Sequence, residues 1–209
     1  MKEDKLNTLL KVYSVIMVLL GVASIVSGCW IIYVARTFDP DISSKTSLYL
    51  LATASIYQAL AMWTGAAYFL KGHGKRAAGF YRAFIVFVAL SLIWSVLLNI
   101  SAIYDGTAAG AGSNVRVILR LVILAGISAL LVMLALAKNL GKRNTWMIYG
   151  VVFALSIVFM GLSLVDLPSV DAASAAVGVI CQITRLFIIG AVGLAIRARY
   201  ADQDARLTY

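Results

Sequence analysis

The sequence predicts an all-α integral membrane protein with six transmembrane helices, and three observations carry that reading. The chain is 62% hydrophobic and only 13% charged, whereas soluble globular chains are nearer half apolar and a quarter charged. Its mean hydropathy is +0.94. Its apolar residues gather into six long runs, at about 12–35, 47–70, 80–104, 115–137, 146–165 and 174–196. About 20 residues at 1.5 Å rise cross a hydrocarbon core roughly 30 Å thick. The runs are continuous rather than alternating, so helices, not barrel strands, satisfy their backbone groups in lipid. The remainder is short loops and two short tails, which makes residues 1–209 a single membrane domain.

The first run follows a charged start and holds "VSGC" at 26–29, the pattern at which bacterial lipoproteins are cleaved. The next residues, "WIIYVA", stay apolar where a lipoprotein would turn polar, so the segment reads as the first span. Gly21 and Gly28 lie seven apart on one face of it and read as a helix contact. The second run carries Tyr57 and Gln58, and the third Trp94, Ser95 and Asn99. The fourth opens with Arg116 and Arg120, the fifth with Trp146, and the sixth holds Cys181, Gln182 and Arg185. Pro40 and Pro168 fall between runs, so no span is kinked by proline. Trp30, Trp63 and Trp146, with Tyr33, Tyr49, Tyr68 and Tyr104, gather toward span ends as an aromatic belt, while Trp94 lies deeper. Nothing in the sequence supports pairing Cys29 with Cys181, and a thiol in a span behaves as a small apolar group.

The hexapeptide "KGHGKR" at 71–76 returns as "KNLGKR" at 138–143. With Lys11, Arg82 and Arg143 in one column, Ser24, Ser95 and Ser156 align, and Asp105 matches Asp166. The chain therefore reads as three tandem helical hairpins, at about 9–75, 76–142 and 143–202, arranged as parallel repeats. The hexapeptide is the junction between hairpins, with Gly74 or Gly141 ending the outgoing structure. Mitochondrial carriers share this layout, but their proline–acid–base motif is absent. The glycine pattern expected of bacterial acid-resistance proteins with two-span repeats is not evident either, so neither family is assigned. The serine column reads as packing.

The net charge of +9 sorts by loop. Thirteen cations, from Lys2, Lys5 and Lys11 through the two hexapeptides to Arg197, Arg199 and Arg206, lie on one side. Arg36, Lys45 and Arg116 lie on the other. The positive-inside rule then places both termini in the cytoplasm of a bacterial-type cell membrane. The charge is explained by topology rather than by nucleic acid, and the partners of the basic loops are anionic lipid headgroups of the bilayer.

Ionisable residues inside a span are functional candidates, since a central arginine costs roughly 3 kcal/mol or more to insert. All nine acids lie in tails or loops, but two arginines do not. Arg185 is 12 residues from Arg197, about 18 Å and near mid-membrane. Arg120 is 18 residues from Lys138, about 27 Å. Counting depth the same way sets Gln58 level with Arg185 and Asn99 level with Arg120. Gln182 shares Arg185's face, as do Ser174 and Gly178, a small and polar stripe that normally faces other helices. The expected ligand-binding set is Arg185, Gln182, Gln58, Tyr57, Arg120 and Asn99, with Arg185 as the deep anchor for an anion. Packing is the competing reading, strongest for Arg116 and Arg120, whose long side chains also reach headgroups.

The chemistry of an enzyme is missing. The one histidine, His73, is in a loop, so no serine–histidine site or haem ligand is placed in the spans. No cluster suggests a metal, no glycine loop suggests a nucleotide, and no carboxylate pair suggests acid–base work. Asp105, Asp166 and Asp171 read as solvated loop acids. No catalytic residue, metal or cofactor is expected. The function expected is binding or translocation of a small anionic or amphipathic solute, as the membrane subunit of a larger transporter. The alternative is a non-transporting accessory protein whose Arg185 pairs with an acid of a partner membrane chain, or of a second copy. A lipid-moving role rests only on the basic loops and outer arginines.

Overall fold

The structure, a computed structural model, describes residues 3–37, 42–71, 75–104, 111–136, 140–165 and 172–207. Those residues form six helices: α1 (Glu3–Thr37), α2 (Ile42–Lys71), α3 (Lys75–Tyr104), α4 (Ala111–Leu136), α5 (Lys142–Val165) and α6 (Ala172–Leu207). Pro40, His73, Gly74, Asp105, Lys138, Asp166, Pro168 and Asp171 lie outside the described residues. Four segments are long and apolar enough to cross a membrane: Leu6–Thr37, Ala77–Ile100, Val115–Leu136 and Lys142–Val165. They belong to α1, α3, α4 and α5, so the chain is a helical membrane protein.

The other two helices, α2 and α6, each pack on three neighbours, as α3 does. Each helix packs on the next in sequence, and α6 also returns to α2 and α3. Three hydroxyls of α2 are satisfied on the helix itself. Thr53, Ser55 and Thr64 donate to the carbonyls of Tyr49, Leu51 and Leu60, one turn back. A hydroxyl bonded this way can be buried at little cost. Ser95 and Ser156 do the same on α3 and α5, donating to Ser91 and Val152.

Small residues set the close approaches. Gly28 of α1 faces Ala52 and Ser55 of α2, and Gly21 faces the Trp63 indole. That indole donates from Nε1 to the Val18 carbonyl at 3.4 Å. The expected helix contact of Gly21 and Gly28 is therefore the α1–α2 seam. On the other flank of α2, Phe69 meets Phe84 edge-on at 6.4 Å, and Tyr57 stacks on Trp94 at 6.2 Å. Gly126 of α4 faces Leu155 of α5. Gly141 is tied into the helix that follows it: its carbonyl accepts from the Thr145 amide at 3.0 Å, as an N-cap carbonyl does.

The C-terminal half of α6 is the hub. Tyr68 of α2 donates to the Ala195 carbonyl, and Tyr149 of α5 to the Ile189 carbonyl, each at 3.3 Å. The Arg199 guanidinium lies 5.0 Å over the Tyr81 ring of α3, and Phe187 stacks on Tyr13 of α1 at 4.7 Å. The Tyr200 hydroxyl meets Thr145 Oγ1 at 2.7 Å and donates to the Leu140 carbonyl. It thus pins the start of α5 to α6. Removing that hydroxyl in Tyr200→Phe strands the Leu140 carbonyl, while Thr145 keeps its bond to Gly141. The expected loss is about 1 kcal/mol, read as a shift in reversible unfolding in mixed detergent. An unchanged midpoint would show that the pin carries no stability.

Packing is uneven along the bundle axis. The proximal end is the one at which α1 begins and α6 finishes; the distal end is the other. Counting outward from the proximal end, the last buried residues on α3, α4, α5 and α6 are Leu92, Ile123, Phe159 and Ile188. Beyond that level, at 93–100, 115–122, 160–165 and 179–187, no described side chain is buried. On the proximal side, Leu124, Ile127, Leu131, Ala191, Val192, Ala195 and Ile196 are at or near zero exposure. On these four helices the buried core fills the proximal level and stops at the layer of Leu92, Ile123, Phe159 and Ile188.

Candidate functional site

The two intramembrane arginine candidates meet on one turn of α5. Phe159 projects from α5 and is buried, and the Arg185 guanidinium of α6 lies over its ring with Cζ 4.6 Å from the centroid. A guanidinium over an aromatic face is held by the ring quadrupole, most strongly where water is scarce. Three residues further along α5, the Leu162 carbonyl accepts a hydrogen bond from Nη2 of Arg120, which comes from α4. Leu162 is among the last four residues of α5, whose carbonyls have no partner within the helix. A cation there also suits the negative end of the helix dipole. Two arginines from the flanking helices therefore reach one turn of the same helix.

The register of the antiparallel α5–α6 pair explains why they meet. Thr145 lies level with Tyr200, Tyr149 with Gly193, and Phe159 with Arg185. Extending the pairing places Leu162, the acceptor for Arg120, level with Gln182. Gln182 and Arg185 are three apart on α6 and share a face. Gln182 is half-buried, and its Oε1 is buried without a hydrogen-bond partner. A buried amide oxygen left unsatisfied costs roughly 1–3 kcal/mol. Its amide orientation is an assignment, so the same position can offer a donor or an acceptor.

The remaining expected site residues separate from this group. Tyr68 bonding to Ala195 fixes the level of α2 against α6. Gln58 and Arg185 each lie ten residues before those anchors, about 15 Å along parallel helices, so their depths agree as expected. Their directions do not bring them together: no hydrogen bond joins Gln58 to Arg185 among the described residues. Tyr57 turns its ring to α3, against Phe87 and Trp94. Asn99 donates from Nδ2 to the Ser95 carbonyl of its own helix. Arg116 is exposed, and the side chains of Ser174, Gly178 and Cys181 are not among those described. Sequence reasoning missed Phe159 and the Leu162 carbonyl. Nothing in the fifth run marks that phenylalanine apart from its apolar neighbours.

The chemistry available is recognition. Two guanidiniums bring planar, fixed-charge donor forks to one turn of α5, at the edge of the buried core. Such forks match the paired oxygens of a carboxylate or phosphoryl group. No protein family model matches the chain, no curated protein matches it, and no solved structure matches its fold.

Proposed function

We propose that the chain spans the cell membrane six times, with both termini cytoplasmic, and binds or translocates a small anionic or amphipathic solute through its helix bundle. Arg185 is the anchor, Arg120 the second cation, and Gln182 a hydrogen-bonding partner. The observation that carries this reading is the convergence of Arg120 and Arg185 on one turn of α5, just beyond the last buried layer of the bundle. Arginine at mid-depth is costly, and a bilayer-facing bundle could have filled this level with leucine. The tight proximal half corresponds to a state closed toward the cytoplasm. The basic junctions at that end face anionic headgroups, and no catalytic step is assigned to the chain.

Native mass spectrometry of the chain released gently from its own membranes tests the proposal. The expected result is an added mass of a few hundred daltons, absent in Arg185→Leu. A second protein chain at fixed stoichiometry, lost in the same variant, would overturn it and make Arg185 the contact of an accessory subunit.

A further inference from the structure

At the proximal end, cations and aromatic rings alternate across four helices. The Lys71 ammonium, at the end of α2, lies 4.6 Å over the Phe80 ring of α3. Arg199 of α6 lies 5.0 Å over the ring of Tyr81, the next residue of α3. Lys142 of α5 lies 5.9 Å over the ring of Tyr200, which follows Arg199. We infer that this strip is a docking surface for anionic phospholipid, with lipid phosphates taken by Arg199 and Lys71. Neither Arg120 nor Arg185 takes part, so the site stands apart from the solute reading above.

The first argument is level. The Tyr68–Ala195 bond pairs α2 with α6, and Lys71 and Arg199 lie three and four residues beyond it. Their heights therefore agree to within about 1.5 Å. The spans of α3 and α5 begin at Ala77 and Lys142, so Phe80 and Tyr81 sit about one turn inside the boundary. Aromatic side chains at that depth mark the headgroup level. Leu70, one residue nearer the membrane interior than Lys71, is 61% exposed and offers an acyl chain apolar surface.

The second argument is charge. By sequence, thirteen cations fall at this end against four acids, Glu3, Asp4, Asp202 and Asp204. Both α3 and α5 open here without an acid in the first turn, so their positive dipole ends add to the surplus. The balancing anions come from outside the chain, and at this depth the membrane supplies them as phospholipid.

The third argument is how the cations are held. A guanidinium has five N–H donors and an ammonium three. The ring faces attract the charge, yet Phe80 has no acceptor atom and Tyr81 has a single oxygen. Donors thus outnumber what the rings can take. Lys71 is exposed and Arg199 half-buried. Rings that fix both cations before a lipid arrives lower the entropy lost on binding.

The test takes the full chain, delipidated in a neutral detergent, and follows its thermal unfolding. Phosphatidylglycerol, phosphatidylcholine of the same acyl chains, and soluble glycerol phosphate are titrated in turn. The expected result is a saturable rise in midpoint with phosphatidylglycerol alone, weakened at about 1 M salt. Arg199→Gln and Lys71→Gln should each raise the phosphatidylglycerol concentration required about fivefold. Lys71→Gln, at an exposed helix end, serves as the second variant should Arg199→Gln not fold. Arg197→Gln removes an exposed cation of the same α6 turn and should change the response little. An equal response to phosphatidylcholine or to glycerol phosphate would overturn the lipid site. So would a loss in Arg197→Gln as large as that in Arg199→Gln, which would show diffuse attraction to the whole basic end.

Discussion

Gly65→Leu should be the most damaging single substitution in the bundle, lowering stability by about 3 kcal/mol. A Cβ at position 65 would stand 2.9 Å from Phe84 Cδ2 and would meet the methyl of Met17. Both neighbours are fully buried, so three helices share this point and none has room to give. The Met17 methyl ends a flexible chain and can turn aside. The Phe84 ring cannot, because Phe69 is packed against it. Replacing glycine in a helix recovers about 1 kcal/mol of propensity, which a leucine of that volume does not offset against. Gly65→Ala adds the same Cβ against Phe84 and should also destabilise, by less than leucine because it adds no further atoms. The measurement is reversible unfolding of both variants under one detergent condition. Similar midpoints for Gly65→Leu and wild type would mean that α1, α2 and α3 do not meet as tightly as described.

Arg185→Leu should move binding and stability in opposite directions. The variant is expected to lose at least a hundredfold in ligand affinity, since a charge-assisted bidentate contact is removed from a poorly hydrated site. The empty protein should nonetheless become more stable. Unfolding lets Arg185 reach water, whereas the fold holds it at mid-depth, a position about 3 kcal/mol worse for arginine than for leucine. The stacking on Phe159 offsets part of that, leaving an expected gain of about 1–2 kcal/mol. A residue serving only to pack the bundle would show the reverse sign. A less stable ligand-free Arg185→Leu would therefore assign Arg185 to structure.

Relative level along the bundle was legible in the sequence, because rise per residue is a constant of the helix. Counting from basic junctions placed Gln58 level with Arg185, and the Tyr68–Ala195 bond agrees. Counting separated Arg120 and Arg185 into two tiers. The structure brings them to one turn of α5, because Arg120 reaches the Leu162 carbonyl and Arg185 the Phe159 ring, only three residues apart. Direction around the axis was not legible. Tyr57 and Asn99 lie at suitable levels, yet one turns to α3 and the other bonds its own helix. Apolar helices carry no stripe that distinguishes a lipid-facing side from a protein-facing one, since both environments are equally apolar. For the same reason the place of α6 among α2, α3 and α5 could not be read. Its clasps are side-chain hydroxyls on backbone carbonyls, and every residue has a carbonyl. Glycine contacts were the exception: Gly21 and Gly28 share a face by spacing alone, and that face is the α1–α2 seam.

The position of α6 bears on how the chain is made. Tyr68, Tyr81 and Tyr149 belong to helices synthesised before α6, and each takes its partner from it: the Ala195 carbonyl, the Arg199 guanidinium and the Ile189 carbonyl. Until the ribosome has passed residue 199, these three contacts cannot form, and the earlier helices have only one another to pack against. Assembly therefore has two stages: a string of hairpins laid down in order during translation, then a late closure around one helix that arrives after the rest. A copy in which that closing helix fails to dock would lack all three contacts at once.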